Sequence, residues 1–187
     1  MKPLHLAIVA AISIALTMPV AAQDDAIGAP GPIMFEETQF DLAWTSNPTE
    51  TYYKQEYVPD GQAVEAYAEM FMIDLLTAGA TPQSAAAEMV AGLEQRKGSD
   101  PVVNFELIAN EATGEIILDF LLSDSSSGIT IVEWNAYRYV PHGDGLALFA
   151  ISRRGYGATE FIRGLGEWRR ASIEALAMME LPQLVVD

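Results

Sequence analysis

The chain has 187 residues, half of them hydrophobic, with no cysteine, two histidines, and 26 acidic against 10 basic residues, for a formal net charge of −16 at pH 7. The lack of cysteine excludes disulfide bonds, thiol nucleophiles, zinc–thiolate sites and iron–sulfur clusters. With so few histidines as well, we expect no metal site and no cofactor. An acidic surface repels phosphate backbones and anionic lipid heads, which argues against nucleic-acid binding.

Residues 1–22 have the three-part layout of a cleavable secretory signal peptide. Lys2 supplies the positive start, residues 6–18 form a nearly unbroken apolar run, and Val20-Ala21-Ala22 offers the small residues that signal peptidase reads. The apolar run is shorter than the ~20 residues that a membrane-spanning helix needs. We therefore expect cleavage near Ala22, a periplasmic or secreted location, and no membrane span in the mature form.

The first part of the mature chain combines a lead-in with short strands. Residues 23–32 are polar and then rich in Gly, Ala and Pro, which is typical of a flexible segment. Apolar pieces between breakers predict three strands, at residues 33–35, 40–45 and 52–58. Ser46-Asn47-Pro48 is expected to end the second of them.

Two helices are expected next. Residues 63–76 follow the turn signal Pro59-Asp60-Gly61 and carry apolar side chains at the spacing of one helical face. These side chains are Val64, Tyr67, Ala68, Phe71 and Leu75. The second helix begins after Thr81, with Thr81 as N-cap and Pro82 at the first helical position, and Gly98 stops it.

The remainder reads as strands followed by one helix. Four strand candidates are separated by turn residues, at 102–109, 115–123, 129–140 and 146–152. Short connections between them imply an antiparallel meander. Residues 159–179 are expected to form the closing helix, capped by Thr159.

These elements predict an α+β fold with a single domain over residues 33–187. The sheet is expected to be an antiparallel meander of about four to six strands. The strand at 115–123 is apolar on both of its faces, which favours helices on both sides of the sheet, as in an α/β/α sandwich.

The stretch Tyr57-Val58-Pro59-Asp60-Gly61, with the expected element order after it, resembles the opening of periplasmic proteins of the Mog1/PsbP-like fold. In that family a strand ends Tyr-x-Pro-x-Gly and is followed by an amphipathic helix, a meander and a C-terminal helix. The resemblance implies an accessory or binding role rather than one particular chemistry.

The most distinctive cluster of charged residues is Arg153, Arg154 and Arg163, near the start of the closing helix. Guanidinium groups beside a helix N-terminus can hold an anion, so we consider these three a candidate anion-binding site. The alternative is that they form ion pairs with the acids of residues 23–149, which carry the whole negative excess.

Other candidates are more dispersed. Asp119 and Glu133 interrupt apolar strands, where an inward carboxylate could act as acid or base, or could pair with an arginine such as Arg138. His142 lies beside Asp144 in a turn. An aromatic-rich sheet could form a groove for a ligand or peptide, or could simply pack across strands; it comprises Tyr52, Tyr53, Tyr57, Trp134, Tyr137 and Tyr139.

No catalytic motif stands out, so we expect an exported, non-enzymatic binding or accessory protein with an unknown protein or small-molecule partner. One alternative is a hydrolase or lyase that uses Asp119, Glu133 or His142, which requires two of them within reach of each other. The other is a protein inhibitor or assembly factor that acts through an exposed apolar patch.

Overall fold

The structure is a computed structural model that describes residues 24–126 and 128–186. The expected signal peptide therefore lies outside the described residues. The described chain forms eight strands and two helices. In chain order they are β1 (Ile33–Phe35), β2 (Thr38–Thr49), β3 (Tyr52–Val58), β4 (Glu69–Leu76), α1 (Pro82–Arg96), β5 (Asn104–Asn110), β6 (Glu115–Asp124), β7 (Ile131–His142), β8 (Gly145–Gly155) and α2 (Ala158–Met178).

All eight strands belong to one antiparallel sheet, in the order β1-β2-β3-β4-β8-β7-β6-β5, which curls into a half-barrel. β1 to β4 form one meander and β5 to β8 form another. The two meanders join where β4 pairs with β8, along eight residue pairs from Glu69↔Arg153 to Leu76↔Leu146. α1 connects the central strand β4 to the edge strand β5, so it crosses the sheet.

Each face of the sheet has its own hydrophobic core. On one face Leu176 of α2 packs in a cluster with Trp134, and on the other Leu93 of α1 packs with Leu118. Because side chains alternate along a strand, one helix covers each face. This agrees with the expectation from β6, where Leu118 and Leu121 belong to the two different cores.

The α+β class and the four-strand meander at the end of the chain are confirmed, but the prediction of a four-to-six-stranded sheet is wrong. The sheet is larger because residues 69–76, expected to be helical, form β4. β4 is hydrogen-bonded to β3 on one side and to β8 on the other. Its run Met70-Phe71-Met72-Ile73 is buried on both faces, which a central strand can satisfy and an amphipathic helix cannot.

Two smaller expectations are also corrected. Ser46-Asn47-Pro48 does not end β2, which continues to Thr49 with a register irregularity between Ser46 and Thr49 that absorbs the proline. Gly157, not Thr159, occupies the N-cap of α2, and no side chain of the described residues caps that helix. Within the segment expected to be a flexible lead-in, Ile27 and Ala29 are buried in the α2-side core.

The local signals of α1 are confirmed. Thr81 is its N-cap and accepts a hydrogen bond from the Ser84 backbone N–H, 3.1 Å away, while the Ser84 hydroxyl accepts from the Thr81 backbone N–H at 2.9 Å. Pro82 stands at the first helical turn, and the helix ends at Arg96. The resemblance to Mog1/PsbP-like proteins stays a prediction.

Candidate functional site

Arg153 lies on the α2 face of the sheet, where it contacts two carboxylates, a hydroxyl group and an aromatic ring. Its Nη2 is 2.7 Å from Glu36 Oε2, and its Nε is 3.0 Å from Glu69 Oε1. Its Nη1 donates to the Ser172 hydroxyl at 2.8 Å, and the guanidinium carbon is 4.6 Å from the centroid of a Trp168 ring. These contacts join β8, β4, the β1–β2 turn and α2.

Arg154 points to the opposite face and is also paired. Its Nε donates to Glu133 Oε2, and its guanidinium carbon lies 3.8 Å from the Tyr67 ring centroid. The Tyr67 hydroxyl donates to the same Glu133 oxygen at 2.9 Å, and Asn135 Nδ2 donates to the other oxygen at 3.1 Å. Glu133 therefore has three donors, and Arg138, the partner considered from the sequence, instead binds Glu115 at 2.9 Å.

The structure does not bring the three candidate arginines together. Arg153 and Arg154 border one shallow cavity of about 420 Å³, but Glu36 and Glu69 border it too, so an anion there would meet carboxylates as well as guanidiniums. Arg163 is exposed on α2 and makes no hydrogen bond or ion pair with the described part of the chain. An anion-binding role for this cluster stays a prediction.

The residues considered for acid–base chemistry are separated. Asp119 contacts Trp134 and Arg169 on the α2 face, whereas Glu133 faces α1 because it precedes Trp134 on β7. His142 is the last residue of β7, nine positions beyond Glu133, which is about 30 Å along an extended strand. Asp119 is the cross-strand partner of Ala136, six positions before His142, so these two are also apart, by about 20 Å along the strand.

The α1 face contains a larger cavity, which we call the tyrosine groove. It has a volume of about 600 Å³ and lies between the sheet and α1. Tyr52, Tyr137 and Tyr139 supply its aromatic wall. The Tyr137 and Tyr139 rings pack edge to face, with centroids 6.2 Å apart. The aliphatic part of the wall comes from β4 and β8, and comprises Met72, Leu76, Leu146 and Leu148.

The α1 side of the groove is built from one stripe of the helix. Ala85, Glu88, Met89 and Gly92 line it, at the i, i+3, i+4, i+7 spacing of one helical face. Two of these four side chains are a methyl group or absent, so the helix leaves space above the sheet.

Asp74 is the groove residue whose carboxylate is only partly hydrogen-bonded. Its Oδ2 accepts a hydrogen bond from the Tyr52 hydroxyl at 2.8 Å. Its Oδ1 is buried and has no hydrogen-bond partner in the described residues. Burial raises the pKa of the Asp74 carboxyl, and nearby Glu56 raises it further, while Lys54 and the Tyr52 hydroxyl act in the opposite direction.

Lys54 does not neutralise Asp74 by direct contact. The two residues are cross-strand neighbours on β3 and β4, but the Lys54 ammonium pairs with Glu56 Oε1 at 2.9 Å. The groove is lined by two carboxylates, those of Asp74 and Glu88, and one ammonium, that of Lys54. Burial also raises the pKa of the Tyr52, Tyr137 and Tyr139 hydroxyls, so all three stay neutral donors near pH 7.

A smaller cavity of about 220 Å³ adjoins the tyrosine groove and shares Lys54, Met72 and Tyr137 with it. Its far wall contains the Glu133–Arg154 ion pair. The combined space therefore extends from the groove around Asp74 to the Glu133–Arg154 ion pair.

Sequence reasoning proposed the tyrosines as a possible groove but missed Asp74. The residues named for that groove divide between the two faces, since Tyr57 and Trp134 belong to the α2-side core. Asp74 was missed because residues 63–76 were expected to form a helix, whereas residues 69–76 form β4. The available signal was a single acid within the otherwise apolar run of residues 70–76.

Neither α1 nor α2 has the length and apolar character that crossing a bilayer requires. Among residues 24–126 and 128–186, no group of three or more His, Asp or Glu side chains is placed to hold a metal ion. A protein-family model matches residues 27–181, so the chain belongs to that family. The family has no assigned function. No curated protein and no solved structure matches the chain.

Proposed function

We propose that this chain is an exported, non-enzymatic binding protein that holds a small organic ligand in the tyrosine groove. The observation that carries the proposal is the groove itself. Its volume of about 600 Å³ is within the usual range for ligand pockets, roughly 300–1,000 Å³. Its wall is mainly aromatic and aliphatic with a few polar groups, which is the usual composition of a ligand site.

Export is the part of the proposal that rests on residues 1–22. Their charged start, apolar run and small-residue end favour cleavage after Ala22 and release into the periplasm or medium. Intact mass of the exported protein tests this. A mass that begins at Gln23 supports export, and a mass that retains residues 1–22 overturns it.

The binding proposal is preferred to a hydrolase or lyase because Asp119, Glu133 and His142 lie apart. Each of the two carboxylates is also held by an arginine, Arg169 for Asp119 and Arg154 for Glu133. A carboxylate whose oxygens are occupied by a guanidinium is less available to a substrate, which suits structure better than proton transfer.

The test compares two substitutions on α1. Gly92→Leu places a side chain in the groove, where an added Cβ meets no atom within 4 Å. Replacing a helical glycine also raises helix propensity, by about 1 kcal/mol, so the variant should fold. Ala91→Leu is the matched control because Ala91 is the exposed neighbour that does not line the groove.

Each protein is purified after export, and small molecules released by denaturation are identified by mass spectrometry. We expect the parent and Ala91→Leu to carry the same small molecule and Gly92→Leu to lose it. Equal amounts on the parent and Gly92→Leu, or none on the parent after incubation with periplasmic extract, would refute the proposal.

A further inference from the structure

We propose that the ligand of the tyrosine groove carries a protonated amine next to an apolar body, and that Asp74 and the surrounding tyrosine rings receive the amine. The inference rests on the proposed function, which it makes specific. Three features of the groove support it: an acceptor without a donor, a set of rings around it, and an excess of negative charge.

Asp74 provides the unused acceptor. Its carboxylate lines the groove, and while Oδ2 binds the Tyr52 hydroxyl, Oδ1 is buried without a donor in the described part of the chain. Leaving a buried polar group unsatisfied costs about 1–3 kcal/mol, and more for a charged one. A ligand that places an ammonium group in the groove beside Asp74 lowers that cost through its charge, even while Oδ1 itself stays covered, whereas a hydrocarbon ligand does not.

The rings around Asp74 favour a cationic donor over a neutral one. Tyr52, Tyr137 and Tyr139 all line the same groove. The face of a tyrosine ring attracts an ammonium group, and the attraction grows when the cation is removed from water. A carboxylate surrounded by aromatic rings is the arrangement that recognises amines.

The charge around the site also excludes anions. Around Asp74, β3 contributes Lys54 and Glu56, which pair with each other, and α1 contributes Glu88. β7 contributes Tyr137 and Tyr139, and β8 contributes only Leu146 and Leu148. After the Lys54–Glu56 pair is set aside, the charges facing the groove are negative, so a carboxylate or phosphate ligand would be repelled.

Proton linkage follows from the same geometry. Burial raises the pKa of the Asp74 carboxyl in the free protein. A bound ammonium favours the ionised carboxylate, so binding at a pH below that raised pKa releases a proton. Affinity for an amine should therefore rise with pH through that range and then level off.

The experiment uses three probes that share one aromatic body and differ in charge: 2-phenylethylamine, 2-phenylethanol and 3-phenylpropionate. Their dissociation constants are measured by calorimetry on the mature parent, on Asp74→Asn and on Glu111→Gln. Asp74→Asn keeps the size of the side chain and removes its charge. Glu111→Gln is the control, because Glu111 is exposed in the β5–β6 turn.

We expect the parent to bind the amine about tenfold or more tightly than the alcohol, and the propionate most weakly. Asp74→Asn should lose this preference while binding the alcohol as the parent does, which also shows that the variant is folded. Glu111→Gln should behave as the parent.

Several results would overturn the inference without touching the proposed function. They are equal affinity for amine and alcohol, an unchanged amine preference in Asp74→Asn, or a co-purified ligand that has no amine but is lost in Gly92→Leu. Failure of all three probes to bind also counts against the amine. The proposed function is tested separately, by the small molecules that the parent and Gly92→Leu carry and by the mass of the exported protein.

Discussion

Removing the Arg169 guanidinium should destabilise the fold more than any surface charge on α2. Asp119 is 1% exposed, and Arg169 Nη2 lies 2.5 Å from its Oδ2, with Arg169 Nε 3.0 Å away. Arg169→Met would leave a buried carboxylate with the Trp134 indole N–H, at 2.5 Å, as its remaining donor. Breaking a buried ion pair costs about 3–5 kcal/mol. Because the Arg169 side chain is 26% exposed and water can partly replace it, we expect the lower end, about 3 kcal/mol.

Urea unfolding followed by circular dichroism measures this loss, and an unchanged dependence on urea shows that the transition stays two-state. Arg170→Met is the matched control. Arg170 is the next residue, and its ion-pair partner in the described part of the chain is the exposed Glu174, so its removal should leave the unfolding midpoint almost unchanged. The double variant Asp119→Leu, Arg169→Met should recover part of the loss, since no buried charge is left unpaired, while the buried Trp134 indole N–H loses its acceptor and keeps the recovery incomplete. A loss in Arg169→Met no larger than in Arg170→Met would refute the argument, as would a double variant as unstable as the single one.

Three further outcomes are expected in the same unfolding assay. Thr81→Ala removes the N-cap of α1 and should cost about 1 kcal/mol, and no change would contradict the cap. Gly145→Ala drives a methyl group into the Leu76 carbonyl oxygen and should unfold at much lower urea, whereas Gly166→Ala meets no atom within 4 Å and should match or exceed the parent. Because burial raises the pKa of Asp74, its native state holds the proton more tightly than the unfolded chain; stability is therefore lost as pH rises above the ordinary value of 3.8. Asp74→Asn should lose less stability than the parent between about pH 4 and pH 8, and parallel pH profiles would contradict this.

The elements that could be predicted from the sequence are those set by nearby residues. A helix N-terminus depends on a cap within one turn, so Thr81 and Pro82 were sufficient to place α1. The turns of the second meander contain Gly114, Gly128 and Gly143, all with positive φ, a conformation that glycine adopts without strain. Signals of this kind depend on residues that are close in sequence, so they can be recognised before the fold is known.

β4 could not be predicted because its period is ambiguous. Tyr67, Phe71 and Leu75 recur every four residues, which suits a helix, but Phe71, Ile73 and Leu75 also alternate, which suits a strand. What decides between them is pairing with β8, from which β4 is separated by some 70 residues of chain. No local pattern reports such a partner, so the strand and the placement of Asp74 next to Tyr52 were both missed.

The residues of the candidate site also divide into those that a local pattern can indicate and those whose placement depends on strand pairing. Alternation along β7 places Tyr137 and Tyr139 on one face, which the sequence can indicate. The tyrosines of β3 divide differently: Tyr52 lines the groove, while Tyr57 is buried in the α2-side core. The pairing of Arg154 with Glu133 joins adjacent strands, so it depends on the register of β7 against β8. Register is a property of the assembled sheet and is not visible in either strand alone.

The two faces of the sheet differ in how their centres are filled. The α2 face also has a cavity of about 530 Å³, but the buried carboxylate that lines it, Asp119, is already paired with Arg169. Beneath α2 the Trp134 and Trp168 rings are in contact, with centroids 4.9 Å apart, and Phe161 packs beside them. Beneath α1 the groove-facing stripe contains Ala85 and Gly92, and a leucine at position 92 would meet no neighbour at its Cβ. Larger residues such as leucine are good helix formers, so they could stand at these positions and fill the space without weakening the helix. Small residues there, opposite an acid that lacks a donor, are a poor solution for packing but suit a surface that must admit another molecule.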